Sequence, residues 1–547
     1  MSKKLTLILL TGIILLASVL RLWGLGSVPP SPDWDEVALG YNAYSVMQTG
    51  RDEYGKAFPV VLQSFDDYKP AFYMYTIIPF IPLFDLSIVA VRLPSAIFGI
   101  LTVLATYFLV YELFKRKDIA LVTSFLLAIS PWHIQFSRVA FETNTGLAFN
   151  VFAALFFLKG LKKPWLLSLS AVCFVLGIYV YQSEKVFAPL LGLVLILIYR
   201  KELFALAKKY LISAILIGLV LAAPMLYFIA TDKNALLRAK GVSIFSEPTK
   251  LSQLTQIKLL EDKNTGNILG EIFDNRRVVF AKEIAANYLV HYNLNWLFIT
   301  GDLKRHHAPG VGNLYLWELP FLLIGIYSLL FLPFSKKTKL LIFVWFLLAP
   351  IPASITTGVP HAVRTLNFLP TFQIFIAVGL VTAYQFISKN KALKLLAIGY
   401  LFFAIFNFLY YLNQYFVQQN YYNSEDWQYG YAKVIPFIKE NENKYSKIIV
   451  TNQSPLDQSY MFFLFYLKYP PKVYQADGNT TAGFREHHKF GKYEFRPIDW
   501  PNEKKTADML FVGRPADFPR DNVVKEGTIK RVDYLDGQRA IKVVKGK

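Results

Sequence analysis

The chain has 547 residues, 54% of them hydrophobic and only 18% charged, where a soluble protein carries about 25% charged residues. The deficit excludes an ordinary soluble globular protein. The net charge of +20 does not point to nucleic acid, because the Lys and Arg residues sit in short clusters between apolar runs, where the membrane-orientation signal belongs. Lys3-Lys4 and the apolar stretch to Leu20 imitate a signal peptide, but no small-residue cleavage site follows, so the segment reads as a retained first span.

A membrane-crossing helix needs about 20 apolar residues. Spans are expected at 5–25, 88–114, 119–131, 143–160, 165–181, 186–200, 210–229, 314–333, 338–354, 365–387 and 393–412. Basic clusters fall in every second connection: Lys3-Lys4, Lys115-Arg116-Lys117, Lys159/Lys162/Lys163, Arg200-Lys201 with Lys208-Lys209, Lys336/Lys337/Lys339 and Lys389/Lys391/Lys394. The positive-inside rule then places the N-terminus in the cytoplasm and the C-terminus outside. Residues 71–84 are apolar but short and broken by Pro79 and Pro82; as a full span they would invert every later loop. They read as an interfacial or re-entrant helix. The lone Cys173 lies in an apolar run, which excludes an intramolecular disulfide and argues against a cysteine metal site.

The sequence thus divides into a transmembrane part, 1–412, and a soluble tail, 413–547. The transmembrane part carries a first outer loop at 26–87 and a long outer loop at 230–313. In the tail, "KIIVTN" (447–452) and "DMLFVG" (508–513) read as strands, and 528–544 as a hairpin turning at Asp536-Gly537. "QSYMFFLFYLKY" (458–469) reads as a helix between strands, which makes the tail a small α/β domain.

The unusual polar clusters all fall on the outer side. The first loop holds Asp33, Asp35 and Glu36, then Asp66, Asp67 and Lys69; later connections hold His133, Arg138 and Glu142, then Glu184 and Lys185. The long loop ends with Arg305, His306 and His307, and "GVPHAVRTL" brings His361 and Arg364. Each has a plain reading. Asp35-Glu36 would cap a helix starting near Val37, and Lys69, Arg138 and Arg364 would snorkel to the interface. Arg138 and Glu142 have i, i+4 spacing and would pair. His306-His307 is a weak metal pattern, since adjacent side chains point apart and spacing fixes no third ligand. What favours function is the shared side. Carboxylates in the first loop and cations on later ones suit a reaction with an anionic leaving group, in which a carboxylate takes a proton from an attacking hydroxyl and cations stabilise the departing phosphate.

"WDEVALGYNAYSVMQTGRDEYG", "SFDDYKPAFYMY", "VRLPSAIFGILTVLATY", "PWHIQFSRVAFETN", "RHHAPGVGNLYLWELP" and "PHAVR" resemble the bacterial glycosyltransferases of families 39 and 83, relatives of the protein O-mannosyltransferases and lipid A aminoarabinose transferases. The resemblance covers roughly the first 412 residues. It implies the GT-C fold, all-α and polytopic with about eleven transmembrane helices, here followed by the α/β tail. It also implies an inverting glycosyltransferase of a bacterial inner membrane, using a polyprenyl-phosphate-linked sugar and an extracytoplasmic acceptor hydroxyl on a protein or glycolipid.

By the same resemblance Asp35 matches the proposed base, Glu36 its neighbour, and Lys69 the lysine beside the donor phosphate, with Asp67 as the second carboxylate. The sequence departs from the lipid A branch at Ala38, where that branch has arginine, and at Tyr68, where it has glutamate before Lys-Pro. The phosphate clamp is therefore expected to draw on Arg138 and Arg364. Asp66, Glu142, His306, His307 and His361 remain candidates for substrate or metal contacts, and a divalent metal stays open. Two other functions compete: a transporter or flippase of a lipid-linked anion, which would place charges at mid-membrane, and an oligosaccharyltransferase. "EDWQYGY" at 425–431 only superficially approaches the tail motif of the latter.

Overall fold

The computed structural model describes residues 1–65, 67–232, 241–246, 250–387, 391–477, 485–519 and 527–546. Two compact units emerge. The first comprises Met1–Leu20, Phe98–Phe136 and Glu142–Leu409; the second comprises Arg21–Ile97, Ser137–Phe141 and Tyr410–Lys547.

The first unit is helical. Every one of the eleven expected intervals contains a helix. Among the described residues, six helices are long and apolar enough to cross a membrane: Lys3–Leu22, Ile88–Phe114, Lys208–Thr231, Lys336–Ser354, Leu366–Ile387 and Leu393–Tyr422. A seventh candidate is the pair Lys117–Ile129 and Pro131–Arg138, bent by 56°. Several other intervals hold shorter helices, such as Leu166–Ile178 and Glu184–Ile198.

Lys208–Thr231 buries only Met225 and exposes Ile212, Ile215, Leu216, Leu219 and Val220. A row of large apolar side chains that size is stable in lipid and not in water. The chain is a multi-pass membrane protein. The Leu319–Phe331 and Thr371–Ile387 helices cross at backbone contact. A Cβ added at Gly325 would lie 1.7 Å from the Phe375 carbonyl oxygen, and one at Gly379 1.9 Å from that of Phe321. With no hydrophobic force between helices in lipid, such close approach of small residues supplies the packing energy.

The second unit is built from distant stretches of chain. Its six-stranded sheet has the order β4-β5-β3-β6-β8-β7, from β3 (Lys447–Val450), β4 (His488–Phe490), β5 (Tyr493–Phe495), β6 (Met509–Gly513), β7 (Thr528–Asp533) and β8 (Arg539–Lys545). β3 runs parallel to both β5 and β6, and the other pairs are antiparallel. β3, β6 and the β7–β8 hairpin around Asp536-Gly537 lie where the sequence placed them, as does the Ser459–Leu467 helix, whereas β4 and β5 are strands that the sequence does not signal.

That tail helix is apolar all round because it is covered on both sides. Phe463 packs on Tyr493 and Phe495 of the sheet. On the other side Phe465 reaches the Trp34–Thr49 helix of the first loop so closely that a Cβ on Gly40 would lie 2.7 Å from its ring. The segment 71–84 forms the helices Phe72–Ile77 and Ile81–Phe84, joined by a 3-10 turn. At about 1.5 Å rise per residue it is too short to span. Tyr73, Met74 and Ile77 lie in the same core as the tail helix.

Candidate functional site

The first-loop acids divide by role along one helical turn. The helix opens at Trp34, with Asp33 as its N-cap, so the expected start near Val37 was three residues late. Asp33-x-x-Glu36 is a capping box. The Asp33 carboxylate accepts from Glu36 N at 2.9 Å, and Glu36 Oε2 accepts from Asp33 N at 3.2 Å. Asp35-Glu36 therefore does not cap this helix from outside; both residues sit in its first turn, where carboxylates are favoured by the helix dipole.

Glu36 is fully buried and its carboxylate is saturated. Arg92 grips it in a fork, Nε to Oε1 and Nη2 to Oε2, each at 2.8 Å. Ala140 N donates to Oε1 at 2.9 Å. With Asp33 N, that makes four donors, about the capacity of a carboxylate. The remaining Arg92 hydrogen bonds go to the carbonyls of Leu25, Pro29 and Ser31. This ion pair ties the helix start to the segment before it.

Asp35 is turned elsewhere. Its carboxylate accepts from Lys69 Nζ, and the two side chains are 26% and 16% exposed, so a ligand can reach both. Lys69 stands on β2 (Asp67–Pro70), paired antiparallel with β1 (Val61–Ser64) in the register Leu62↔Lys69. The hairpin fixes the lysine against the helix turn although 34 residues separate it from Asp35. Asp67, opposite Ser64, is nearly buried and accepts from Tyr68 N at 2.7 Å. Asp66 lies outside the described residues.

Arg138 is fully buried. Its Nη2 donates to the carbonyls of Gly24 at 3.2 Å and Val28 at 3.0 Å, and its guanidinium stacks over Tyr415 and Phe416. It fastens the same 24–31 stretch that Arg92 holds. Glu142 precedes the Thr143–Gly160 helix of the first unit, and its carbonyl accepts from Thr145 N at 3.0 Å and Gly146 N at 3.3 Å.

The same loop contains a buried acid that sequence reasoning did not single out. Glu53 is 1% exposed, with Asn42 donating to it at 3.0 Å. Burial, opposed by the Asn42 hydrogen bond and helped by the neighbouring Asp52, pushes its carboxyl up to about 8. The folded protein thus holds a proton that the unfolded chain releases near pH 4 to 5. Stability from this group is complete below that range, declines by about 1.4 kcal/mol per pH unit above it, and is lost once pH passes about 8. Glu53→Gln is expected to flatten that decline in unfolding measurements between about pH 5 and 8; an unchanged pH slope would contradict it.

The first unit gathers a second polar group. His306 Nδ1 lies 2.8 Å from Asp302 Oδ2, both side chains being about 5% exposed. The His361 ring lies 5.2 Å from that of His306 between centroids. One ligand atom from each of Asp302, His306 and His361 falls within 4.8 Å of the others. The sequence points to His306 and His361 but not to Asp302, for which the Asp-x-x-x-His spacing is the one available signal.

His307 turns away to the carbonyls of Ala308 at 2.7 Å and Val311 at 3.1 Å. Its neighbour Gly301 has φ +65°, and a Cβ there would stand 2.6 Å from the His307 ring, so this corner requires glycine. Arg364 donates to Thr356 Oγ1 at 2.6 Å and the Thr357 carbonyl at 2.7 Å. Burial disfavours charge on both Asp302 and His306. At Asp302 burial is the largest single influence, but the hydrogen bond and charge of His306, the charge of His361 and the Ala362 N–H together outweigh it and hold the carboxyl below the usual range; at His306 burial wins over Asp302, and the imidazole stays below its usual range.

Comparison with known proteins agrees with this architecture. Residues 68–228 match the family model described as dolichyl-phosphate-mannose-protein mannosyltransferase. No curated protein matches the chain. The solved structure of ArnT from Cupriavidus metallidurans in the apo state is 12% identical, with a TM-score of 0.55 over 98% of this chain and 97% of that one. The same ArnT bound to undecaprenyl phosphate is also 12% identical, with a TM-score of 0.55 over 99% and 98%. The Archaeoglobus fulgidus oligosaccharyltransferase AglB is 12% identical at a TM-score of 0.49, over 94% of this chain and 69% of that one. The chain therefore has the GT-C fold of ArnT along its whole length, with the mannosyltransferase family match confined to residues 68–228.

Proposed function

We propose that the protein is an inverting glycosyltransferase that moves a sugar from a polyprenyl-phosphate donor to an acceptor hydroxyl on a protein or glycolipid at the outer face of a bacterial inner membrane. The observation that carries this reading is the Asp35–Lys69 pair, a carboxylate and an ammonium in contact and open to ligand. The match over residues 68–228 and the full-length likeness to an ArnT solved with undecaprenyl phosphate support the lipid-phosphate donor.

The chemistry follows from exchange of partners. A donor phosphate takes Lys69 from Asp35, and the released carboxylate faces the acceptor hydroxyl. The acceptor oxygen attacks the anomeric carbon from the side opposite the phosphate, and its proton passes to Asp35. The anomeric C–O bond breaks, and the polyprenyl phosphate leaves with its charge met by Lys69. Glu36 and Arg138, both spent on holding backbone, position the helix and the 24–31 stretch. Asp67 stands at the turn end of the hairpin that carries Lys69, its carboxylate accepting from Tyr68 N. The alternating basic clusters support eleven spans with the N-terminus in the cytoplasm and the tail outside.

The test is reconstitution with a panel of polyprenyl-phosphate sugars and candidate acceptors. Acceptor-dependent release of polyprenyl phosphate from one donor is expected. Lys69→Ala should raise KM for that donor by about 10- to 100-fold, the worth of one charge-assisted hydrogen bond. Lipid transport without sugar transfer, or an unaltered Lys69→Ala enzyme, overturns the reading.

A further inference from the structure

We propose that Asp302, His306 and His361 form a centre for one divalent transition-metal ion of the zinc class, with a fourth position left for water or an anionic ligand. The three donors are one carboxylate oxygen and two imidazole nitrogens, the mixed set that zinc accepts and that magnesium or calcium does not favour. Their ligand atoms already lie within 4.8 Å of one another. A tetrahedral shell with bonds near 2.0–2.1 Å requires separations of about 3.4 Å, and side-chain rotation covers the difference.

The surroundings are already those of a metal ligand set. Asp302 Oδ2 accepts from Ala362 N at 2.7 Å, which orients the carboxylate. His306 packs against the Phe136 ring, and the His361 backbone N–H donates to His291 Nε2 at 3.3 Å. His291 in turn bonds the Asn287 carbonyl through Nδ1 at 2.7 Å, which leaves Nε2 as the acceptor. Outer partners of this kind fix ligand orientation before the ion arrives. Asp302 and His306 belong to the end of the long loop, whereas His361 comes from the turn before Arg364, 55 residues further along. An ion here would add a further tie between two stretches of the first unit already joined by the Ala362–Asp302 and His361–His291 hydrogen bonds. Such a centre would stand whether or not the protein transfers a sugar.

The experiment uses the full chain in detergent, tag removed, stripped with a chelator and titrated with Zn²⁺ alone. One ion per chain is expected by elemental analysis and calorimetry. His361→Ala and Asp302→Asn should each weaken binding by at least about tenfold. His307→Ala, whose ring serves backbone carbonyls, should bind as the parent does. Co²⁺ loaded into the parent protein gives a geometry readout that needs no variant: intense visible absorption of a low-coordinate N/O site is expected. Substoichiometric zinc, His361→Ala binding equal to the parent, or a Co²⁺ spectrum like that of the aqueous ion overturns the assignment. Asp302→Glu, which keeps a carboxylate, should retain the ion where Asp302→Asn loses it.

Discussion

Asp35→Asn is expected to lower kcat for sugar transfer by about 10²- to 10⁴-fold, the usual contribution of a positioned general base. The fold should survive, because the helix cap is the Asp33–Glu36 box and Asp35 stands outside it. Loss of one first-turn charge costs about 0.3–1 kcal/mol through the helix dipole. Donor binding should be equal or tighter, since an amide competes less well than a carboxylate for Lys69, leaving the ammonium available to phosphate. The measurement is single-turnover transfer beside lipid-phosphate binding on the same preparation. Transfer at the parent rate would remove Asp35 from the chemistry.

Glu36→Ala is expected to destabilise the protein by about 3–5 kcal/mol, the cost of leaving a buried charge without its partner. Arg92 is fully buried and cannot turn to water. Replacing both residues with Glu36→Leu and Arg92→Met should recover much of that loss, because the burial penalty is then removed from both sides. Denaturation in detergent measures both variants. Were Glu36 to act on substrate, Glu36→Ala would lose activity at unchanged stability, and that outcome would overturn the positioning role. The two acids thus give opposite signatures one residue apart: rate without stability for Asp35, stability for Glu36.

Apolar run length made the helices legible, since a 20-residue apolar stretch has few alternatives. Alternating β-branched and aromatic residues did the same for β3, β6 and the terminal hairpin. The acid helix was recognisable, yet its start was misplaced because the Asp33-x-x-Glu36 spacing was not read as a reciprocal cap. Arg92 in "VRLPS" carries no signal of its own, because its role depends on an ion pair closed across 56 residues. Asp302 was passed over for a similar reason: its partners are His306, four residues on, and His361, which only the folded chain brings near. The sequence puts Asp35 and Lys69 in two motifs of one loop without pairing them; their contact, and the hairpin register that produces it, are tertiary facts. Periodicity reports which face is buried and is silent on what buries it.

The second unit draws on residues 21–97, 137–141 and 410–547, which has a consequence for biogenesis. The acid helix buries Val37, Ala38 and Tyr41 in a core shared with Phe462, Phe463 and Phe465 of the tail helix. During synthesis the first loop emerges more than 300 residues ahead of those phenylalanines. Until the ribosome has delivered the tail, the helix bearing Asp35 has no completed surface to settle on. The Asp35–Lys69 arrangement would then mature only after translation of the tail, so a stalled or prematurely terminated chain would carry every first-loop residue and remain inactive.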